Sequence, residues 1–233
     1  MDKFYIISFY KFIKINSLIT LKVDLLSFCK KNKIKGTILI AEEGINATIS
    51  GDEESINLFC DFITKFDIFS DLLFKHSNSN IDPFKRMKIK LKKEIVTFRV
   101  ENLDASSPGV YLDSDEWDDL IKKEDTVLID TRNHYEYAMG TFRNAINPHI
   151  NNFTELKQWL DVNFDQNDKE KNVAMFCTGG IRCEKSTSYL KQQGFKNVYH
   201  LKDGIIKYIK DRKNASDSSW NGECFIFDDR ITY

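Results

Sequence analysis

The sequence has almost no net charge. Its 34 lysine and arginine residues are offset by 35 aspartate and glutamate residues, which leaves a formal net charge of −1 at pH 7. Proteins that attract polyanions over their whole surface carry a strong excess of positive charge. The balance excludes that class, so any nucleic-acid site in this chain must be a local patch.

Long apolar runs and secretion signals are also missing. The apolar stretch at residues 4–10 is bounded by Lys11 and Lys14; it is too short to cross a bilayer and is unlike a signal peptide. The five cysteines are odd in number and irregularly spaced, which argues against a disulfide framework and indicates a reducing compartment. We therefore predict a cytoplasmic protein without a membrane segment.

Cofactor motifs and metal-ligand spacings are absent as well. The dinucleotide-binding and phosphate-loop glycine patterns do not occur, and the cysteines lack the paired spacing of a zinc site. The histidines are scattered without the spacing of an iron site. They are His76, His134, His149 and His200. The sequence predicts no bound cofactor and no metal ion.

One cysteine lies at a predicted turn between a strand and a helix. Asn172–Phe176 is a short apolar run typical of a buried strand, residues 183–193 are predicted to form a helix, and Cys177 lies between them. Such a turn directs unpaired N–H groups and the positive end of the helix dipole into its own hollow. An anion placed in that hollow is stabilised.

The residues after Cys177 fit a cradle around its sulfur. They are Thr178, Gly179, Gly180, Ile181 and Arg182. We expect the two glycines to allow the backbone conformations that a cradle needs, and Arg182 to add a permanent cation. These effects lower the pKa of a thiol, so we predict a reactive thiolate at Cys177. The alternative is a buried cysteine that serves as a small apolar side chain.

The length of the loop between Cys177 and Arg182 distinguishes phosphatase chemistry from chemistry on a single sulfur or oxygen atom. Cysteine phosphatases place one residue more between nucleophile and arginine, whereas four residues separate Cys177 from Arg182 here. The smaller ring fits one extra sulfur or oxygen atom on Cys177 better than a phosphoryl group. The loop resembles the active-site loop of the rhodanese superfamily.

Residues 1–100 are predicted to form a small α/β domain. Strands are expected at residues 4–9, 37–41 and 45–50, and helices at Leu18–Lys31 and after Asp52, with further strand beyond. This order predicts a ferredoxin-like (acylphosphatase-type) α/β sandwich.

A basic segment closes that half of the chain. Lys88, Lys90 and Lys92 alternate with apolar residues and are expected to line one face of a strand, preceded by Lys85 and Arg86. Their charges can hold the phosphate backbone of a nucleic acid without reading its sequence. The alternative is a solvated lysine face that protects the edge of a sheet.

Residues 101–108 are predicted as a linker, 109–212 as a second α/β domain with a parallel central sheet, and 213–233 as a tail.

Residues 126–129 are a predicted strand, and Asp130 and Arg132 lie in the loop that leaves it. Ligands of parallel sheets collect beyond the carboxyl ends of the strands, so both residues are candidates to support the Cys177 site. Alternatively, the two residues form a structural ion pair that only fixes the loops. The sequence does not distinguish these two interpretations.

The resemblance to known proteins covers nearly the whole chain. Residues 130–137 with Gly140, residues 143–146 and residues 201–205 resemble further segments of the rhodanese family. Residues 36–51 and the tail at 220–230 narrow the resemblance to the bacterial rhodanese-domain tRNA uridine hydroxylases. That resemblance implies oxygen-dependent conversion of wobble uridine in certain tRNAs to 5-hydroxyuridine, with Cys177 matching the catalytic cysteine. It implies tRNA as partner and molecular oxygen as co-substrate; no protein partner is predicted, and no electron donor is indicated.

Several chemical hypotheses remain open for Cys177. Its thiolate can add to C6 of a flipped-out uracil, or it can work as a persulfide or a sulfenic acid in the same cradle. The alternative function is a sulfurtransferase of the thiosulfate type that acts through a cysteine persulfide. A third is a non-catalytic binding or redox-sensing module. Cys183 is either a resolving thiol or a packed residue of the first helical turn.

Overall fold

The computed structural model describes residues 3–213, 215 and 218–233. Met1, Asp2, Asn214, Ser216 and Asp217 lie outside the described residues, the last three of them in the predicted tail. The chain divides into two units. The first comprises the described residues up to Thr97 with Phe227–Ile231, and the second comprises Phe98–Ile226 with Thr232–Tyr233. The division thus falls before the predicted linker at 101–108, and the predicted tail contributes to both units.

The elements of the first unit follow the predicted order. They are β1 (Phe4–Phe12), α1 (Leu18–Lys31), β2 (Lys35–Ala41), β3 (Gly44–Gly51), α2 (Glu53–Ile63), the 3-10 turn Asp67–Phe69, β4 (Lys75–Ser79) and β5 (Met87–Leu91). The first three strands extend beyond their predicted bounds because flanking residues such as Lys11 and Lys35 still pair with β3.

These strands form one five-stranded sheet in the order β4-β1-β3-β2-β5. The pairs β1–β3, β1–β4 and β2–β3 are antiparallel, whereas β5 runs parallel to β2 at one edge. The first four strands with α1 and α2 have the order of a ferredoxin-like sandwich, with β5 added. The predicted fold of this half is confirmed.

Both helices bury an apolar stripe in one core. Leu25 and Cys29 of α1 and Phe59 of α2 pack in the same cluster as Ile38 and Ile49 of the sheet, and all five are fully buried. Burial of each Leu, Ile or Phe side chain among them contributes about 1.5–3 kcal/mol. The spacing of three and four residues within each helix places its apolar side chains on one face, as the sequence pattern predicts.

The second unit alternates strands and helices. Its elements are β6 (Val110–Leu112), α3 (Ser114–Ile121), β7 (Thr126–Asp130), α4 (His134–Met139), β8 (Gly140–Phe142), the 3-10 turn Phe153–Glu155, α5 (Leu156–Asn163), the 3-10 turn Gln166–Asp168, β9 (Asn172–Phe176), α6 (Ile181–Gln192), β10 (Asn197–Leu201), α7 (Gly204–Asp211) and β11 (Trp220–Gly222). The helix after Cys177 begins at Ile181, two residues earlier than predicted, because the backbone turns helical directly after Gly180.

The central sheet of this unit is parallel throughout. Its order is β6-β10-β9-β7, and each neighbouring pair is parallel, as predicted. The carboxyl ends of the strands therefore meet at one edge. Asp130 ends β7 and Cys177 follows β9, its direct neighbour in the sheet, so the two predicted segments lie side by side.

Part of the predicted tail is a strand of the second unit. Trp220–Gly222 pairs antiparallel with Gly140–Phe142, and the Trp220 indole packs against Phe142 with ring centroids 5.2 Å apart. None of the described helices is long and apolar enough to cross a membrane.

Candidate active site around Cys177

Cys177 lies directly after β9, at the mouth of a turn that leads into α6. Its side chain is 1 % exposed. The backbone N–H of Gly180 donates a hydrogen bond to the Cys177 sulfur over 3.1 Å. The sulfur thus sits inside the turn, in the position predicted for a cradled anion.

The two glycines of the loop differ in conformation. Gly180 has φ of +96°, a region where residues with a Cβ are strained. Gly179 lies outside that region, so the expectation that both glycines are needed for the backbone is wrong for Gly179. The turn requires only one glycine for its geometry.

Helix α7 holds the loop from the other side. The N–H groups of Ile205 and Ile206 donate to the carbonyl oxygens of Cys177 and Thr178 over 3.0 and 3.3 Å. Gly204 makes this approach possible: its φ is +75°, and a Cβ there would lie 2.6 Å from the Cys177 oxygen. Because α7 takes up the loop carbonyls, the loop N–H groups are left to face the sulfur.

Arg182 is held by a carboxylate in α4. Its Nη1 and Nη2 atoms donate to the two carboxylate oxygens of Glu136, each over 2.7 Å, and Glu136 also accepts from the N–H of Asn133 over 3.0 Å. Burial alone raises the pKa of Glu136, but the charge and hydrogen bonds of Arg182 outweigh it and the pKa lies below its usual value. The pair stays ionised, and Arg182 is fixed in orientation.

A second thiol lies against the first. Cys183, in the first turn of α6, is fully buried and 3.7 Å from the Thr131 hydroxyl. Burial raises the pKa of Cys177, but the Cys183 thiol donates to its sulfur, and the Arg182 charge and the N–H groups of residues 182 and 183 add to this. Together they lower the pKa of Cys177 to about 5. Burial and the neighbouring thiolate raise the pKa of Cys183 far above its usual value, so it stays a donor.

Asp130 and Arg132 form a buried ion pair. Arg132 Nη2 donates to Asp130 Oδ2 over 2.6 Å and to the Gly140 carbonyl over 2.5 Å, and Thr141 Oγ1 donates to the same carboxylate over 3.0 Å. The guanidinium also lies over the Trp220 ring, 5.2 Å from its centroid. These contacts join the loop after β7 to β8 and β11. Neither side chain is among those that hydrogen-bond the Cys177 sulfur within the described residues.

The predicted basic segment lies in the first unit, on the edge strand β5. Lys88 and Lys90 are exposed and share one face of the strand, while Ile89 between them is buried on the other. Lys85, Arg86 and Lys92 flank the strand and are also exposed. Lys88 and Lys90 thus lie on the edge strand as predicted, whereas Lys92, predicted for the same strand face, lies just after the strand ends at Leu91.

Glu136 and Gly204 belong to the site without having been predicted as site residues. Both residues lie within segments that resemble the rhodanese family, and that resemblance was the sequence signal that could have identified them. In the described part of the chain, no group of three or more His, Cys, Asp or Glu side chains is placed to hold a metal ion.

Comparisons with known proteins cover both halves of the chain. Residues 4–95 match the UPF0176 acylphosphatase like domain, and residues 113–211 match the rhodanese-like domain. The tRNA uridine(34) hydroxylase of Wolbachia sp. subsp. Brugia malayi (strain TRS) is 50% identical over 228 residues, which is 98% of this chain and 84% of that protein. The chain belongs to the tRNA uridine(34) hydroxylase family.

Other members of the family are similarly related. The tRNA uridine(34) hydroxylase of Legionella pneumophila (strain Paris) is 47% identical over 99% of this chain and 91% of its own length. That of Picosynechococcus sp. (strain ATCC 27264 / PCC 7002 / PR-6) is 47% identical over 100% of this chain and 78% of its own length. The predicted membership is confirmed, and as a member of the tRNA uridine(34) hydroxylase family the chain is an enzyme.

Proposed function

We propose that this protein hydroxylates uridine 34 of tRNA at C5 to give 5-hydroxyuridine, with molecular oxygen as co-substrate and Cys177 as the catalytic residue. The observation that carries the proposal is the buried Cys177 sulfur, which accepts a hydrogen bond from the N–H of Gly180 over 3.1 Å, in a chain whose relatives along its whole length bear that activity in their name. A thiolate held at neutral pH is the form that attacks an electron-poor carbon. The protein acts in the cytoplasm, where tRNA is found.

The first chemical step assigned to this chain is addition of the Cys177 thiolate to C6 of the uracil ring. The bond formed is S–C6, and the electron pair of the C5–C6 double bond moves to C5 and the O4 carbonyl. C5 is then electron-rich and open to an oxidant. Because the target carbon is inaccessible in a base stack, the uridine must be presented flipped out or in a single-stranded loop.

The overall hydroxylation by molecular oxygen also requires a reductant. Replacing the C5 hydrogen by a hydroxyl group is a two-electron oxidation; with molecular oxygen as oxidant, the second oxygen atom leaves as water, using two electrons and two protons from an external donor. Loss of the C5 proton and cleavage of the S–C6 bond then restore the C5–C6 double bond and release the Cys177 thiolate. Cys183 supplies the hydrogen bond that keeps the departing sulfur anionic.

Contact with tRNA is assigned to the basic edge of the first unit and the rim of the Cys177 loop. The five cations at β5 suit a phosphate backbone, since phosphate contacts position a nucleic acid without sequence readout.

The test is mass spectrometry of tRNA nucleosides from a deletion strain complemented with wild-type protein or with Cys177→Ala. The proposal expects 5-hydroxyuridine and its derivatives to return with the wild type alone. Matched protein levels are verified by immunoblot, so that loss of product is not loss of protein. A profile unchanged by the wild type contradicts the proposal, and rapid sulfur transfer from thiosulfate to cyanide by the same protein would establish a sulfurtransferase instead.

The mechanism has its own test. An anticodon-loop RNA with 5-fluorouridine at position 34 is expected to form a covalent adduct with wild-type protein and none with Cys177→Ser. An intact wild-type mass without RNA attached contradicts addition at C6. A gain equal to one sulfur or one oxygen atom during turnover would point to a persulfide or sulfenic acid.

A further inference from the structure

One side of the Cys177 loop packs against α7. Its carbonyl oxygens at Cys177 and Thr178 accept from the first turn of α7, and the Gly204 backbone is so close that a Cβ there would lie 2.8 Å from the Gly179 Cα. The sulfur lies with the opposing N–H groups, one of which is that of Gly180. Access to the thiolate must therefore come from the side away from α7.

Gly179 lies on the rim of that open side. Apart from its two chain neighbours, no heavy atom of the described chain lies within 4 Å of a Cβ built on Gly179, whereas a Cβ on Gly204 meets three within 3 Å. The φ of Gly179 is also not in the region reserved for glycine. Neither backbone strain nor packing within the described protein explains a glycine at this position.

Among the loop residues around the sulfur, Gly179 is the one partly exposed position without a side chain. Thr178, Gly179 and Ile181 are half-buried, while Cys177, Gly180 and Arg182 are buried. The Thr178 hydroxyl is held between Glu136 and Arg182, 3.4 Å from each, and Ile181 is fixed as the first residue of α6. A molecule that reaches the sulfur passes over the loop position that has no side chain.

We propose that the space over Gly179 is the seat of the pyrimidine ring, and that Gly179 sets which substrates fit. The inference rests on the proposed function, because it names where the uracil lies. A flat ring in van der Waals contact stands about 3.5–4 Å from the backbone. A Cβ projects about 1.5 Å from its Cα, so any side chain would take up the space in which the ring must lie.

The experiment combines two substitutions of graded size with a control. Gly179→Ala and Gly179→Leu are compared with Gly180→Ala, which strains a backbone that needs glycine. Each variant complements the deletion strain at matched protein level, and 5-hydroxyuridine in its tRNA is measured. Purified full-length variants are also alkylated with iodoacetamide across a pH range to obtain the midpoint of Cys177 reactivity.

The expected result separates the two glycines. Gly179→Ala keeps the wild-type alkylation midpoint but lowers 5-hydroxyuridine by roughly tenfold, and Gly179→Leu lowers it further, because overfilling a contact of this kind costs about tenfold or more. Gly180→Ala shifts the midpoint upward and loses the product as well.

Three outcomes overturn the inference. Wild-type levels of product in both Gly179 variants show that the ring does not lie there. A shifted midpoint in Gly179→Ala shows that the glycine serves the loop and not the substrate. If wild-type protein itself restores no 5-hydroxyuridine, the proposed function fails and the inference falls with it, and the wild-type arm distinguishes that case from the other two.

Discussion

Glu136 and Arg182 form a bidentate ion pair with both N–O distances at 2.7 Å, and Glu136 is fully buried. The cation that helps to ionise Cys177 is therefore oriented by a residue of α4, forty-six positions earlier in the chain. Removing one partner of such a pair leaves an uncompensated buried charge, which is more costly than the loss of the hydrogen bonds alone.

Glu136→Gln is expected to lower the free energy of unfolding by about 3 kcal/mol, because Arg182 keeps its charge without a buried counter-ion. Urea denaturation measures this change. Glu116→Gln is the matched control: Glu116 accepts the N–H at the start of α3 over 3.0 Å, as Glu136 does at α4, but it is exposed. A loss below about 1 kcal/mol is expected there, and equal losses in the two variants would contradict the role given to the ion pair.

The pH dependence of Cys177 alkylation is expected to have its midpoint near 5. A folded pKa below the unfolded one means that the thiolate contributes stability in full above the unfolded pKa of about 8.5 and loses it as pH falls toward the folded value. Alkylation by iodoacetamide should thus be as fast at about pH 7 as at about pH 9. A midpoint near the ordinary thiol value would show that the cradle does not act on the sulfur.

Cys183→Ala is expected to raise that midpoint by about 1–2 pH units, since a hydrogen bond to a charged group is worth about 1.5–3 kcal/mol. Cys183→Ser retains a donor and should recover part of the shift. The comparison of Ala with Ser separates a hydrogen bond from simple packing. Identical alkylation midpoints in the wild type, Cys183→Ala and Cys183→Ser would show that Cys183 does not influence the pKa of Cys177.

Gly204→Ala is expected to destabilise the protein and to raise the alkylation midpoint, because the added methyl group would push the loop carbonyls away from α7. Gly194→Ala is the matched control. Its φ is also positive, at +91°, but the added Cβ would meet only the flexible side chain of Lys169. Both variants should lose about 1–3 kcal/mol from backbone strain, and only Gly204→Ala should change Cys177; an unchanged midpoint there would contradict the support given by α7.

The double variant Lys88→Glu/Lys90→Glu is expected to weaken tRNA binding and to reduce the salt dependence of log K by about two units of slope. Filter binding over a series of salt concentrations measures both. Lys14→Glu/Lys65→Glu makes the same change in net charge at exposed positions of the first unit that are not part of β5. Equal effects of the two pairs would show that net charge matters and the β5 edge does not.

The sequence alone was sufficient for the fold of each half and for the reactive loop. Apolar periodicity determines whether a segment forms a helix or a strand, and the bounds Leu18–Lys31 and Asn172–Phe176 were predicted without error. The loop chemistry is equally local. A cysteine between a strand and a helix, followed by Gly180 and Arg182, has its N–H groups and cation within a few residues of the sulfur.

Only the tertiary structure decided which distant groups complete the site. Glu136 reaches Arg182, Gly204 lets the N–H groups of α7 donate to the loop carbonyls, and the thiol of Cys183 lies against the sulfur of Cys177. The different roles of the two glycines also depended on it, since φ and the space around a Cβ are properties of the folded backbone. Such contacts join elements far apart in the chain, and no pattern of neighbouring residues encodes their distances.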